Sequence, residues 1–127
     1  MADLTIKNDK GERLVGILEK PDLKGRGLIL ILHGFLTHKD SLWQKKLALS
    51  LPYPSYRFDS YGHGDSDGVY RYPNIVKGAE NLRTVASYFD SQGWKIFGVV
   101  GYSGGAFAVH DFVLNWHYQI KHVSYLA

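Results

Sequence analysis

The chain has 127 residues, room for one domain. Its 45% hydrophobic and 21% charged residues suit a chain that folds around an apolar core, which excludes a disordered or fibrous one. The net charge of +3 comes from Lys and Arg scattered among acidic residues, with no run of five or six basic residues, and this argues against a nucleic-acid partner. The lack of cysteine excludes disulfides and thiolate metal sites, and the longest apolar run, Leu28 to Leu32, is far shorter than the roughly 20 residues a membrane helix needs. The opening residues carry no secretory pattern, so the cytoplasm is the expected compartment.

In chain order, Leu4-Thr5-Ile6 and Leu14-Val15-Gly16-Ile17-Leu18 read as two strands, and Asp9-Lys10-Gly11 supplies the turn of an antiparallel hairpin. Gly27 to Leu32 is apolar without alternation, as in a central strand covered on both faces. The stretch Ser41 to Leu51 predicts a helix packed through Leu42, Trp43, Leu47 and Leu49, with Asp40 placed to cap it and Pro52 and Pro54 to end it. Ser55 to Asp59 follows as a short strand.

From Asn74 to Phe89 the apolar residues Ile75, Ala79, Leu82, Val85, Ala86 and Phe89 recur at helical spacing, and Gly93 is placed to terminate the helix. Lys95 to Val100 predicts another buried strand. Ala106 to Trp116 predicts a helix that packs through Phe107, Val109, Phe112, Val113 and Trp116. Ile120 to Ala127 begins a further strand. This alternation implies an α/β fold: a mostly parallel sheet with an antiparallel N-terminal hairpin and helices on both faces.

Three segments carry chemistry. Gly101-Tyr102-Ser103-Gly104-Gly105 joins a buried strand to a helix, a turn that strains the serine backbone and projects its hydroxyl above the sheet. Gly101 and Gly105 are needed there because side chains would collide with neighbouring elements. His33-Gly34-Phe35 ends the central strand, where an acyl-transfer site needs its second backbone donor; the two N–H donors would be those of Phe35 and Gly104. Asp59-Ser60-Tyr61-Gly62-His63-Gly64-Asp65-Ser66-Asp67-Gly68 is a glycine- and aspartate-rich turn. It lacks the distal glutamate of a calcium loop, so Asp59, Asp65 and Asp67 read as turn-formers and no metal is expected.

In this order, over nearly the whole chain, the three segments resemble the α/β-hydrolase superfamily, in particular its single-domain esterase, acylglycerol lipase and serine-aminopeptidase-like members. The resemblance implies that Ser103 is the nucleophile, that His33-Gly34 belongs to the oxyanion loop, and that the turn from Asp59 to Gly68, His63 included, is structural. It implies no cofactor and a small-molecule ester, thioester or amide as substrate. It also places the triad acid and histidine after later strands, so residues 1–127 are expected to be the N-terminal portion of a single domain lacking both.

None of the six histidines is an evident substitute base. His33 reads as an anchor of its loop, with His38 nearby; His110 and His117 fall on the last helix and His122 in the last strand. Trp94, Tyr102 and Phe35 are candidates for a pocket wall, with the core as their ordinary place. The alternative function is a non-catalytic fragment or binding protein that retains only the serine turn and self-associates through an open sheet edge.

Overall fold

The computed structural model describes residues 1–69, 75–116, 120 and 122–126. Strands β1 (Ala2–Lys7) and β2 (Arg13–Glu19) form the antiparallel hairpin. Its turn is held by the Asn8 side chain, whose Oδ1 accepts the N–H groups of Lys10 and Glu12. A short 3-10 segment, Pro21–Arg26, leads to β3 (Leu28–Leu32), buried along its whole length. Helix α1 (Leu42–Ser50), β4 (Ser55–Phe58), α2 (Ile75–Ser91), β5 (Ile96–Tyr102), α3 (Gly104–Asn115) and β6 (His122–Leu126) follow.

The six strands form one sheet in the order β1-β2-β4-β3-β5-β6. The pairs β3–β4, β3–β5 and β5–β6 are parallel, whereas β2 runs antiparallel to both β1 and β4. Alternation along the strands divides the core. Leu30, Leu32, Tyr56, Phe58 and Val99 face α2 and α3, meeting Leu82, Phe89, Val109 and Phe112; Ile29 and Ile31 face the other way, onto Ala48 of α1. Where α2 and α3 approach, a methyl group added at Gly78 would stand 2.8 Å from the Ala108 Cβ, so the contact depends on small residues.

Local chemistry sets the helix ends. Gly93, at φ +82°, donates its N–H to Asp90 O while Trp94 N–H reaches Phe89 O, closing α2 in a left-handed turn. Lys20 closes α1 from a distance, its Nζ donating to the carbonyls of Leu49 and Leu51 at 3.0 and 2.5 Å.

Three expectations are corrected. Asp40 does not cap α1: Ser41 occupies the cap position, and the Asp40 carboxylate lies 3.5 Å from Lys39 Nζ and 3.9 Å from Arg57. Helix α1 packs through Gln44 and Ala48, with Trp43 and Leu47 partly covered, while Leu42 and Leu49 face solvent. Phe107 of α3 also points outward. Asn74 and His117 lie outside the described residues.

Candidate active site

Register brings the chemical segments together. Leu32 pairs with Phe58 on one side and Gly101 on the other, so β3, β4 and β5 end level and their following segments leave the same edge of the sheet. The chain turns from β3 to β4 in one direction, and β5 lies on the opposite side of β3. Such a reversal opens a crevice at the carboxyl ends of parallel strands, the usual ligand position in α/β sheets.

Ser103 lies at this crevice between β5 and α3, exposed, with φ 50° and ψ −116°. For a residue with a Cβ this conformation costs about 1–3 kcal/mol, and the surroundings enforce it. A methyl at Gly101 would approach Gly105 O and Val109 Cγ2 to 2.6 Å, and one at Gly105 would approach His33 O to 2.5 Å. A methyl at Gly104 would enter the half-buried Phe35 ring at 2.5 Å. Gly34 completes the juxtaposition, since a methyl there would stand 3.0 Å from Tyr102 O and 3.3 Å from Ser103 Cβ. The loop after β3 thus lies directly against the serine turn. Among the described residues none hydrogen-bonds the Ser103 hydroxyl; the Ser103 carbonyl accepts the Ala106 N–H at 2.9 Å and starts α3.

Two buried histidines tie the loop after β3 to the turn after β4. His33 Nδ1 contacts Gly34 O at 2.5 Å and its Nε2 accepts the Ser60 N–H at 3.0 Å. His63 Nε2 accepts the Leu36 N–H at 3.1 Å, and its Nδ1 contacts Tyr61 O at 3.1 Å. Each geometry requires the neutral ring protonated on Nδ1, because Nε2 receives a backbone donor while Nδ1 faces a carbonyl. Burial, reinforced by His63 and His38, outweighs the opposing influence of the Gly34 carbonyl and Asp59 and lowers the pKa of His33 to about 4. The two rings are 4.8 Å apart. Together with Phe35, Gly104, Asn81 and Gly78 they line a cavity of about 20 Å³, room for about one water.

Asp59 organises the rest of the turn. It is fully buried and accepts the Lys39 N–H at 2.7 Å, Lys39 Nζ at 2.8 Å and the Asp65 N–H at 2.9 Å. Gly64, at φ +48°, is required beside it, because a methyl would fall 2.3 Å from the carboxylate. Burial opposes the charge of Lys39, but its hydrogen bonds to Asp59 and Asp65 prevail and hold its pKa above the ordinary lysine value. Asp67 instead pairs with Arg13 of β2 at 2.9 Å. Among the described residues no group of His, Asp and Glu is arranged to hold a metal ion.

The residues singled out in sequence therefore fall into two sets. His33, Gly34, Phe35, Gly101, Ser103, Gly104 and Gly105 converge, and His63 joins them. Tyr102 is partly exposed against Trp43, ring centroids 5.1 Å apart. Trp94 packs on Phe89 and under Lys24 at the other end of the sheet, far from any pocket wall near Ser103. His110 is exposed on α3 and His122 contacts Phe97. Reading by residue type missed Lys39, Ser60 and Asn81. Asn81 is buried on α2, where its Oδ1 accepts the Tyr61 N–H at 2.7 Å and fixes the turn after β4. A single polar residue on the apolar stripe of α2 was the available signal.

The strand order, the helices on both faces and the strained turn at a level sheet edge define the α/β-hydrolase fold. No family model and no curated protein sequence matches the chain. Among solved structures, the α/β-hydrolase GrgF from Penicillium sp. aligns with a TM-score of 0.84 at 20% identity, over 99% of this chain and 45% of its own. Est1E from Butyrivibrio proteoclasticus, solved with ferulic acid bound, aligns at 0.76 and 25% identity over 87% of this chain and 46% of its own. An esterase of Pyrococcus furiosus aligns at 0.73 and 22% identity over 88% and 46%. The chain spans less than half the length of these neighbours. Among the described residues no helix is long and apolar enough to cross a membrane.

Proposed function

We propose that residues 1–127 are the N-terminal portion of a serine hydrolase that acts on a carboxylic ester, thioester or small amide, with the cytoplasm as its place of work. Ser103 Oγ attacks the carbonyl carbon, the Phe35 and Gly104 N–H groups hold the oxyanion, and collapse expels the alcohol, thiol or amine to leave an acyl-serine that water hydrolyses. The observation that carries this reading is the exposed, strained Ser103 with the Gly34 loop against it. His33 and His63 are neutral with Nε2 already accepting a backbone N–H, so neither suits the role of base. The base and its acid partner are assigned to sequence outside residues 1–127. The esterases among the structural neighbours support the reaction class.

Incubation of the full-length protein, including the sequence that supplies the base, with a fluorophosphonate probe followed by peptide mapping tests the assignment. The label is expected on Ser103 and absent from S103A; a folded protein that remains unlabelled at Ser103 overturns it. A second reading is that the chain is a non-catalytic binding protein that self-associates. One observation favours it: among the described residues β6 pairs only with β5, beside an apolar groove of about 390 Å³ lined by Ile29, Leu47, Phe97 and Val100. Light scattering separates the two, since this reading requires an oligomer and is refuted by a stable monomer.

A further inference from the structure

We infer that His63 is a positioning residue for the oxyanion loop, holding the Phe35–Leu36 peptide in the orientation that presents the Phe35 N–H to the substrate oxygen; this rests on the reading of Ser103 and Phe35 given above. Leu36 follows Phe35 directly in the loop after β3. This residue is exposed and adopts φ 59°, a left-handed conformation that a leucine rarely takes and that no packing of its own side chain enforces. What enforces it is the hydrogen bond from the Leu36 N–H to His63 Nε2 at 3.1 Å. That N–H belongs to the peptide after the one that carries the Phe35 N–H, and the two planes are joined only through φ and ψ of Phe35, so holding the second limits the rotation left to the first.

The clamp works only with His63 in one tautomer. Nε2 must be bare to accept, so the proton is on Nδ1, where Tyr61 O at 3.1 Å receives it and Ser60 Oγ lies at 3.2 Å. Ser60 in turn donates its backbone N–H to His33 Nε2, and His33 grips Gly34 O, so the residues on both sides of Phe35 are tied to one turn. That turn is fixed independently through Asp59 with Lys39 and through Asn81 with Tyr61. The Phe35 ring rests against Gly104, and the two donors assigned to the oxyanion therefore share one rigid contact. His63 contributes by its acceptor atom, and a glutamine, whose side-chain oxygen reaches the same position, replaces that function where leucine does not.

The test uses the full-length protein, which carries the base assigned outside residues 1–127, in three forms, the parent, His63→Gln and His63→Leu, with far-UV circular dichroism to establish that each is folded. Two measurements are made on each: the rate of fluorophosphonate labelling at Ser103, and NMR of the imidazole nitrogens and the Leu36 amide. The expected result is a bare Nε2 in the parent, a Leu36 amide proton protected from exchange in the parent and in H63Q but not in H63L, and labelling that falls about tenfold in H63L and recovers in H63Q, a fraction of the loss from removing an oxyanion donor outright. Equal labelling in H63L and the parent, or a proton on Nε2 in the parent, overturns the proposal. If the parent is unlabelled, the serine reading fails, and the NMR arm still decides whether His63 clamps Leu36: a Leu36 amide equally protected in H63L refutes the clamp.

Discussion

Replacing Asp59 with asparagine removes a charge at the centre of the turn while leaving its size unchanged. Asp59 is fully buried, and its ammonium partner Lys39 has a side chain only 6% exposed. Breaking such a pair by removing one partner costs about 3–5 kcal/mol, because the other charge remains buried without compensation. Lys39 keeps Asp65 at 2.9 Å and Asp40 at 3.5 Å, but those carboxylates face water and are screened. The asparagine oxygen can retain one of the two backbone N–H bonds, while its amide hydrogens oppose Lys39 Nζ. The expected loss is therefore near the low end of that range, about 3 kcal/mol, a large share of the 5–15 kcal/mol typical of a domain. Urea unfolding followed by circular dichroism measures it, with the slope checked for constancy. Adding Lys39→Met should return much of the loss, since no uncompensated charge then remains, and the resulting double-mutant cycle isolates the pair. A D59N loss under about 1 kcal/mol, or a double variant no more stable than D59N, refutes the reasoning.

Three further outcomes are expected. His33 has a folded-state pKa near 4 against about 6.5 when unfolded, so the unfolded chain binds the extra proton between those values. Its contribution is complete above pH 6.5 and is lost as pH falls, by about 1.4 kcal/mol per unit and about 3 kcal/mol in all; unfolding free energies between pH 6.5 and 5, where the carboxylates stay ionised, should show this slope, and His33→Asn should flatten it. Ser103→Gly should stabilise the chain by about 1 kcal/mol by relieving φ 50°, ψ −116°, whereas S103A should not; equal effects of the two would refute the strain. Gly104→Ala should cost about 1–3 kcal/mol in thermal or urea unfolding through collision with the Phe35 ring, and adding Phe35→Ala should remove that collision, so that G104A costs less in the F35A background.

The strands were legible because burial on both faces leaves unbroken apolar runs, as in Leu28 to Leu32, and α2 because its apolar residues recur with the helical period. Helix α1 was less so. Its buried residues are Gln44 and Ala48, and the Gln44 amide nitrogen donates locally to His38 O and Ser41 Oγ, an arrangement that hydrophobic patterning does not register. Asp40 has the chemistry of a cap, but the nearby cations Lys39 and Arg57 compete for its carboxylate. The glycines of the serine turn were readable as a motif; which atoms forbid a side chain at each was not, since Phe35, His33 and Val109 reach them from other elements. The Lys39–Asp59 pair joins residues 20 apart in sequence, and only the level ends of β3 and β4 bring them together.

The distribution of polar groups around Ser103 follows a single logic. On the side of β3 the serine turn meets Gly34, and beneath it Gly101, Gly104 and Gly105 are in close contact with Val109, Phe35 and His33. Those contacts leave no space for a side chain at the three glycines themselves. The two histidines nearest the loop present neutral rings whose Nε2 atoms are filled by the N–H groups of Ser60 and Leu36, so they act as acceptors that fix backbone rather than as bases that take a proton. What β3, β4 and β5 assemble by themselves is thus a rigid frame for a serine and its neighbouring amides. On the proposed reading, a proton acceptor for Ser103 would approach from its exposed side, away from Gly34.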